Sequence, residues 1–184
     1  MTIETDNRAS PSRSENGDCD ALFVQWLEAK KVEGKLIFHW GTGRHHLVGR
    51  RNHERGDPNE VIAMTASRAE HDEYVNFIME NPEAANHYKV MFGDAHTLSA
   101  RMLPAFDIAG LFGLGEFGGG RPEHVRLDDR KLTEMFLSRI SAEGRLVFSG
   151  NHPGAAEIIK DFVWKRRIAV DEEYESLVVC RRNW

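Results

Sequence analysis

The chain has two cysteines, Cys19 and Cys180, and they stand near opposite ends with no Cys-x-x-Cys spacing. That scarcity argues against a disulfide scaffold and a zinc ribbon, and leaves both thiols as small buried hydrophobes. Long apolar runs are also missing. No stretch approaches the ~20 residues needed to span a bilayer, and the start lacks the basic and apolar regions of a secretory signal, so a cytoplasmic protein without a membrane partner is expected. Positive charge is not in excess either: the formal net charge is −5. This balance gives no general attraction to nucleic acid, which is not expected as a partner, and short basic patches such as Arg50–Arg51 and Lys165–Arg167 are read as solvated surface. No internal repeat is present. What is there is 184 residues with 41% hydrophobic and 29% charged side chains, the size and balance of one globular domain.

Residues 1–17, MTIETDNRASPSRSENG, have almost no apolar pattern and are expected to form a flexible tail, leaving 18–184 as a single domain. From Asp18 the pattern turns helical, with Leu22, Phe23, Trp26 and Leu27 recurring through Lys31 and Asp18 or Asp20 as the N-cap. Strand-like runs follow at 35–40, 60–65, 88–92 and 106–111, and GRLVFSG at 144–150 reads as a fifth. Helical spacing is read at 68–81, at 127–142 and at 155–163, with a short helix within 98–103. After Gly43, the sequence RHHLVGRRNHERGDPNE leaves room for a short helix at best. The end, RRIAVDEEYESLVVCRR, contains two strand-like pieces around an acidic turn. Alternating strands and helices predict an α/β fold: a Rossmann-like, doubly wound, mostly parallel sheet with helices on both faces and an antiparallel C-terminal strand. Ligands of such sheets sit outside the carboxyl ends of the strands, where Gly41–Gly43, Thr65–Ser67, Asp94 and the 113–120 loop converge.

Two readings compete for the segment after the first strand, GKLIFHWGTGRHHLVG. Gly41 and Gly43 suit a turn that lets a ligand approach the main chain, whereas His39, His45, His46 and His53 supply imidazoles, a common metal ligand. Adjacent histidines on an extended chain point to opposite faces, and no His-x-x-x-His face or nearby cysteine completes a tetrahedral set, so no metal site is expected. Hydrogen bonding in the strand-end crevice suits His39, and polar lining of a ligand site or ordinary turn positions suit His45 and His46. The glycine-rich stretch 113–120 is either a mobile gate or a closely packed passive loop, and Glu116 is its only carboxylate.

In order and spacing, these segments resemble the class I S-adenosylmethionine-dependent methyltransferases from about Asp18 to the C-terminus, with a degenerate first motif. HWGTG at 39–43 is similar to the family's acidic-x-Gly-x-Gly motif, GDA at 93–95 to its adenine-binding turn, and FDIAGLFGLGEF at 106–117 to its fourth-strand motif, with Asp107 near the start. The resemblance implies S-adenosylmethionine as cofactor, held by His39, Gly41, Thr42, Gly43, Thr65, Asp94 and Ala95. It also implies Glu116 as the candidate general base for a small-molecule acceptor. The acceptor pocket would come from the N-terminal helix, the 113–120 loop or a second subunit, so a homodimer is among the expected arrangements. His39 replaces the motif's acid, His45 its third glycine, and Thr65-Ala66-Ser67 the acid that holds the ribose. Cofactor binding is therefore expected to be weaker by about tenfold to a hundredfold per lost charged contact. The alternatives are a non-catalytic module of the same fold that has lost cofactor binding and, third, a histidine-rich metal hydrolase.

Overall fold

The computed structural model describes residues 15–115 and 127–183. Helix α1 spans Glu15–Ala29, followed by β1 (Leu36–Trp40), α2 (Leu47–His53), β2 (Glu60–Thr65), α3 (Arg68–Glu80) and β3 (Tyr88–Phe92). Then come β4 (Phe106–Leu111), α4 (Asp129–Leu137), β5 (Ile140–Ser149), α5 (Pro153–Trp164), β6 (Ile168–Tyr174) and β7 (Leu177–Arg182). The seven strands form one sheet in the order β3-β2-β1-β4-β5-β7-β6. β3, β2, β1, β4 and β5 are mutually parallel, and β7 lies antiparallel between β5 and β6. The expected fold class is the observed one.

Strands buried on both faces carry apolar residues at consecutive positions, and here successive residues divide between two cores. Ile37, Ile108 and Val147 face one side, with Phe23 of α1, Val48 of α2 and Phe77 of α3. Their neighbours Phe38, Ala109 and Phe148 face the other, with Phe136 of α4 and Phe162 of α5. Gly49, inside α2, lets that helix lie on the buried Tyr88 ring: an added Cβ would stand 2.2 Å from Tyr88 Cε1. Among the described residues no helix is long and apolar enough to cross a membrane.

Two boundaries differ from expectation. Asp18 and Asp20 lie within α1, not at its cap, because the helix begins by Glu15. The helix expected over 127–142 ends at Leu137, and Ile140, Ser141 and Ala142 open β5. Ile140 pairs with Phe106 of β4, and the Phe106 amide donates to the Arg139 carbonyl at 2.7 Å, so a strand edge captures the backbone that the apolar spacing had assigned to the helix. Ile140 is buried in either assignment, and periodicity alone does not separate them.

Candidate functional site at the strand ends

β1 is the point where the strand order reverses: the chain moves outward through β2 and β3, then returns to place β4 on the other flank. A crevice beyond the carboxyl ends follows from that reversal. The turn after β1 holds Gly41 at φ +94° and Gly43 at φ +57°, the left-handed region open to glycine. A Cβ at Gly41 would meet nothing within 4 Å, and one at Gly43 would approach only Asp20 Oδ2, at 3.4 Å. The main chain of this turn is thus accessible to a ligand.

His39 lies one step before the turn and is buried under α1. Its Nε2–H donates to Asp20 Oδ1 at 2.8 Å, with both side chains almost wholly enclosed. The ring stacks on Phe23 and meets the edge of Phe112, and its Nδ1 has no partner among the described residues. His39 is a link between α1 and β1, and the carboxylate absent from its own position stands beside it, supplied by the helix.

The end of β2 repeats this arrangement. Thr65 Oγ1 donates to Glu70 Oε2 at 2.6 Å, and Thr42 Oγ1, from the glycine turn, reaches the same oxygen at 3.3 Å. Glu70 sits in the first turn of α3, whose N-cap Ser67 accepts the Glu70 amide. The Ser67-x-x-Glu70 spacing is that of a capping box, in which the glutamate would turn back to the N-cap amide. Here Thr65 Oγ1 takes that amide at 3.0 Å, which releases the carboxylate toward the crevice side.

At the end of β3, Asp94 is the local acid. Its Oδ1 accepts the His96 amide at 2.9 Å and faces His96 Nδ1 at 2.8 Å, while His96 Nε2 faces Asp129 Oδ1 at 2.8 Å. Asp129 Oδ2 accepts the Gly115 amide at 3.0 Å, tying the root of the glycine-rich segment to α4. Trp40 meets His96 edge-on, so this network also touches the residue before Gly41.

The remaining histidines serve separate contacts. His45 is exposed. His46 adopts a left-handed conformation at φ 46° and is buried, where Nε2–H donates to the Glu70 carbonyl at 2.6 Å and Nδ1 accepts from Tyr88 Oη at 2.8 Å. Burial holds its pKa below the ordinary histidine value, against the opposing pull of the Glu70 carbonyl. His53 stacks on His87, whose pKa is lowered by burial and by that neighbour.

By sequence, no protein-family model matches the chain, and no match is found among curated proteins. Solved structures do match. Magnesium protoporphyrin IX methyltransferase from Synechocystis PCC 6803, with bound S-adenosylmethionine, is similar over 100% of this chain and 87% of its own, at 14% identity and a TM-score of 0.64. Precorrin-6y C5,15-methyltransferase from Geobacter metallireducens GS-15 is similar over 100% of this chain and 97% of its own, at 12% identity and a TM-score of 0.63. The chain has the class I methyltransferase fold. The cyclase SpnF shares it over 92% of this chain and 62% of its own, at 14% identity and a TM-score of 0.58.

Within the methyltransferase fold, Gly41, Thr42, Gly43, Thr65, Asp94 and Ala95 all stand at or just beyond the ends of β1, β2 and β3. His46 is not the surface or lining residue expected, since its ring is locked between α3 and Tyr88. Asp107 stands at the opposite, amino end of the parallel strands, where it accepts the Leu36 amide at the start of β1. Glu116 lies outside the described residues. Asp20 was expected only as a helix N-cap, and Glu70 and His96 stand outside the motifs read from the sequence. The capping-box spacing could have drawn attention to Glu70, and no local signal marks the other two.

Proposed function

We propose that the chain is an S-adenosylmethionine-dependent methyltransferase acting on a small-molecule acceptor. The observation that carries this reading is the turn Gly41-Thr42-Gly43 at the reversal point of a methyltransferase-fold sheet, with carboxylates Glu70 and Asp94 at the adjoining strand ends. The donor set fits a nucleoside-like cofactor: an open main-chain turn to lie against, and acceptor oxygens for hydroxyl and amino groups. Gly41 and Gly43 would hold the amino-acid part, Thr42, Thr65 and Glu70 would face the sugar, and Asp94 with Ala95 the base.

The bound cofactor supplies a methyl group on a positively charged sulfur. The chain's own task is to place an acceptor lone pair in line with that methyl carbon, so alignment provides much of the rate. The acceptor must also lose a proton, the role assigned to Glu116. Residues 112–115 leave the carboxyl end of β4, on the same side of the sheet as the glycine turn after β1, and an acceptor site is proposed there.

Calorimetric titration with S-adenosylmethionine and S-adenosylhomocysteine tests the reading. Saturable binding is expected, and Gly43→Val should weaken it by about tenfold or more, because a branched side chain is strained at positive φ and intrudes on the approach. Absence of binding to the unmodified chain overturns the reading. The second reading, a domain of this fold that does not transfer methyl groups, draws on the cyclase SpnF, whose name shows that the fold hosts other chemistry.

A further inference from the structure

We infer that this chain associates head to tail with further copies of itself, the α3 and β3 edge of one copy seated on the α5 and β6 edge of the next. Among the described residues seven large apolar side chains are exposed, and six of them fall in two groups. Val75 and Met79 of α3 with Phe92 of β3 make one, and Val163 and Trp164 of α5 with Val170 of β6 make the other. Apolar residues exposed singly are ordinary, whereas grouped ones mark a contact. β3 and β6 are the two edge strands, so the groups lie at opposite ends of the sheet, roughly 30 Å apart for seven strands.

Both groups follow from local geometry. His71, Val75 and Met79 recur at four-residue spacing, one row along α3, and the His71 ring centroid is 5.4 Å from that of Phe92. Val170 is two residues from the buried Ile168 and so shares the face of β6 that α5 covers, with Trp164 82% exposed at the end of that helix. The charges around the two groups have opposite sign. Beside the α3 row, Glu73, Glu80 and Glu83 are exposed without an ion-pair partner among the described residues, while Asp72 pairs with Arg68. Lys89 lies on the other face of β3 from Phe92. Near Trp164, Lys160 and Arg166 are exposed and unpaired among the described residues, and Arg130 and Lys165 share the one carboxylate of Asp161. Asp171, the acid next to Val170, is held by Arg145 and Arg181.

An apolar centre with an acidic rim repels its own copy and attracts an apolar centre with a basic rim. A closed two-fold pair sets one face against the same face of its partner and would bring like charges together at either edge. The complementary contact joins different faces, so every added copy leaves one of each open.

Sedimentation velocity on the full chain tests this from about 10 µM to 1 mM, the range of weak contacts through small interfaces, at low and high salt. The average mass should climb past that of two chains with concentration and fall as salt screens the charges. Trp164→Ser and Met79→Ser each remove one face at an exposed position, where the fold tolerates change, and Val163→Ser and Val75→Ser replace them if either melts early. Each variant alone should lose about tenfold or more in self-association, the scale of one buried apolar side chain. An equal mixture should form a species of two chains at the strength of the unmodified contact and stop there, since Trp164→Ser keeps the acidic face and Met79→Ser the basic one. A monomer at every concentration, an unmodified chain that stops at two, mass that rises with salt, association that neither variant weakens, or a mixture no larger than its parts overturns the inference. Pelleting of a monomeric chain with phosphatidylserine vesicles, lost in Trp164→Ser, also overturns it and gives the basic face to an anionic membrane.

Discussion

At the end of β3 the carboxylate is local: Asp94 stands on the turn itself, caps the short helix that follows it and stays partly exposed. At the ends of β1 and β2 the strand carries His39 and Thr65 instead, and the carboxylates arrive from α1 and α3, as Asp20 at 2.8 Å and Glu70 at 2.6 Å. A local acid costs the fold little, because a turn residue satisfies its own neighbours and water takes the rest. An imported acid couples the site to helix docking. If α1 leaves the sheet, His39 loses its one partner, and if α3 shifts by an ångström the two threonines lose theirs. The β1–β2 end should therefore be the part of the site that stability and binding share, whereas the β3 end should tolerate change.

The largest expected effect breaks that comparison at its buried side. Asp20→Ala leaves His39 enclosed with neither nitrogen paired and should destabilise the fold by about 3–5 kcal/mol, the scale for removing one member of a buried pair. Denaturant titration measures this, and a loss under 1 kcal/mol would show that α1 is held by its apolar contacts alone. The counterpart at the other end is Asp94→Ala. Removing this partly exposed acid should cost about 1–3 kcal/mol, because the cap is lost and the buried His96 Nδ1 loses its carboxylate while Nε2 still faces Asp129. A cost equal to that of Asp20→Ala would erase the distinction between the two ends.

The smallest effect concerns pH. His46 and His87 both have pKa values lowered by burial, so the unfolded chain binds protons there before the folded one does. For such groups stability is full above the unfolded value of about 6.5 and falls as the pH drops below it. Urea midpoints should thus decline from pH 7.5 to pH 5.5. In His46→Asn, whose asparagine tolerates the left-handed backbone, the decline should be shallower, from a lower starting stability. An unchanged slope would place the acid sensitivity elsewhere, at His87 or at the carboxylates.

Much of the sheet was legible from residues alone. EVIAMT, YKVMF and FDIAGL are strands over the residues their composition marked: the inner strands β2 and β4 are largely buried and apolar, and β3, at the sheet edge, alternates with exposed Lys89 and Phe92. GTG marked the open turn, since two glycines with one residue between them after a buried strand signal left-handed backbone. The boundary between α4 and β5 was not legible, for Ile140 satisfies a helical stripe and a strand face equally. Nor was the fate of the histidines. His45 and His46 are neighbours in sequence, yet one is exposed and the other is enclosed by Tyr88 and the Glu70 carbonyl, residues 42 and 24 positions away.

By itself the sequence determined the strand order's raw material: which runs must be buried, where the chain turns, and that His39 and Thr65 are not acids. Only the tertiary structure decided that their charge is supplied by others. Residue identity specifies what a side chain can donate or accept, but a hydrogen bond also needs a partner within about 3 Å, and that distance is set by how helices pack on a sheet. Asp20 and His39 are 19 positions apart and Glu70 and Thr42 are 28 apart, so no local pattern joins them. The sheet brings them together because α1 and α3 bury Phe23 and Phe77 against the same face, and that burial fixes where their polar residues fall.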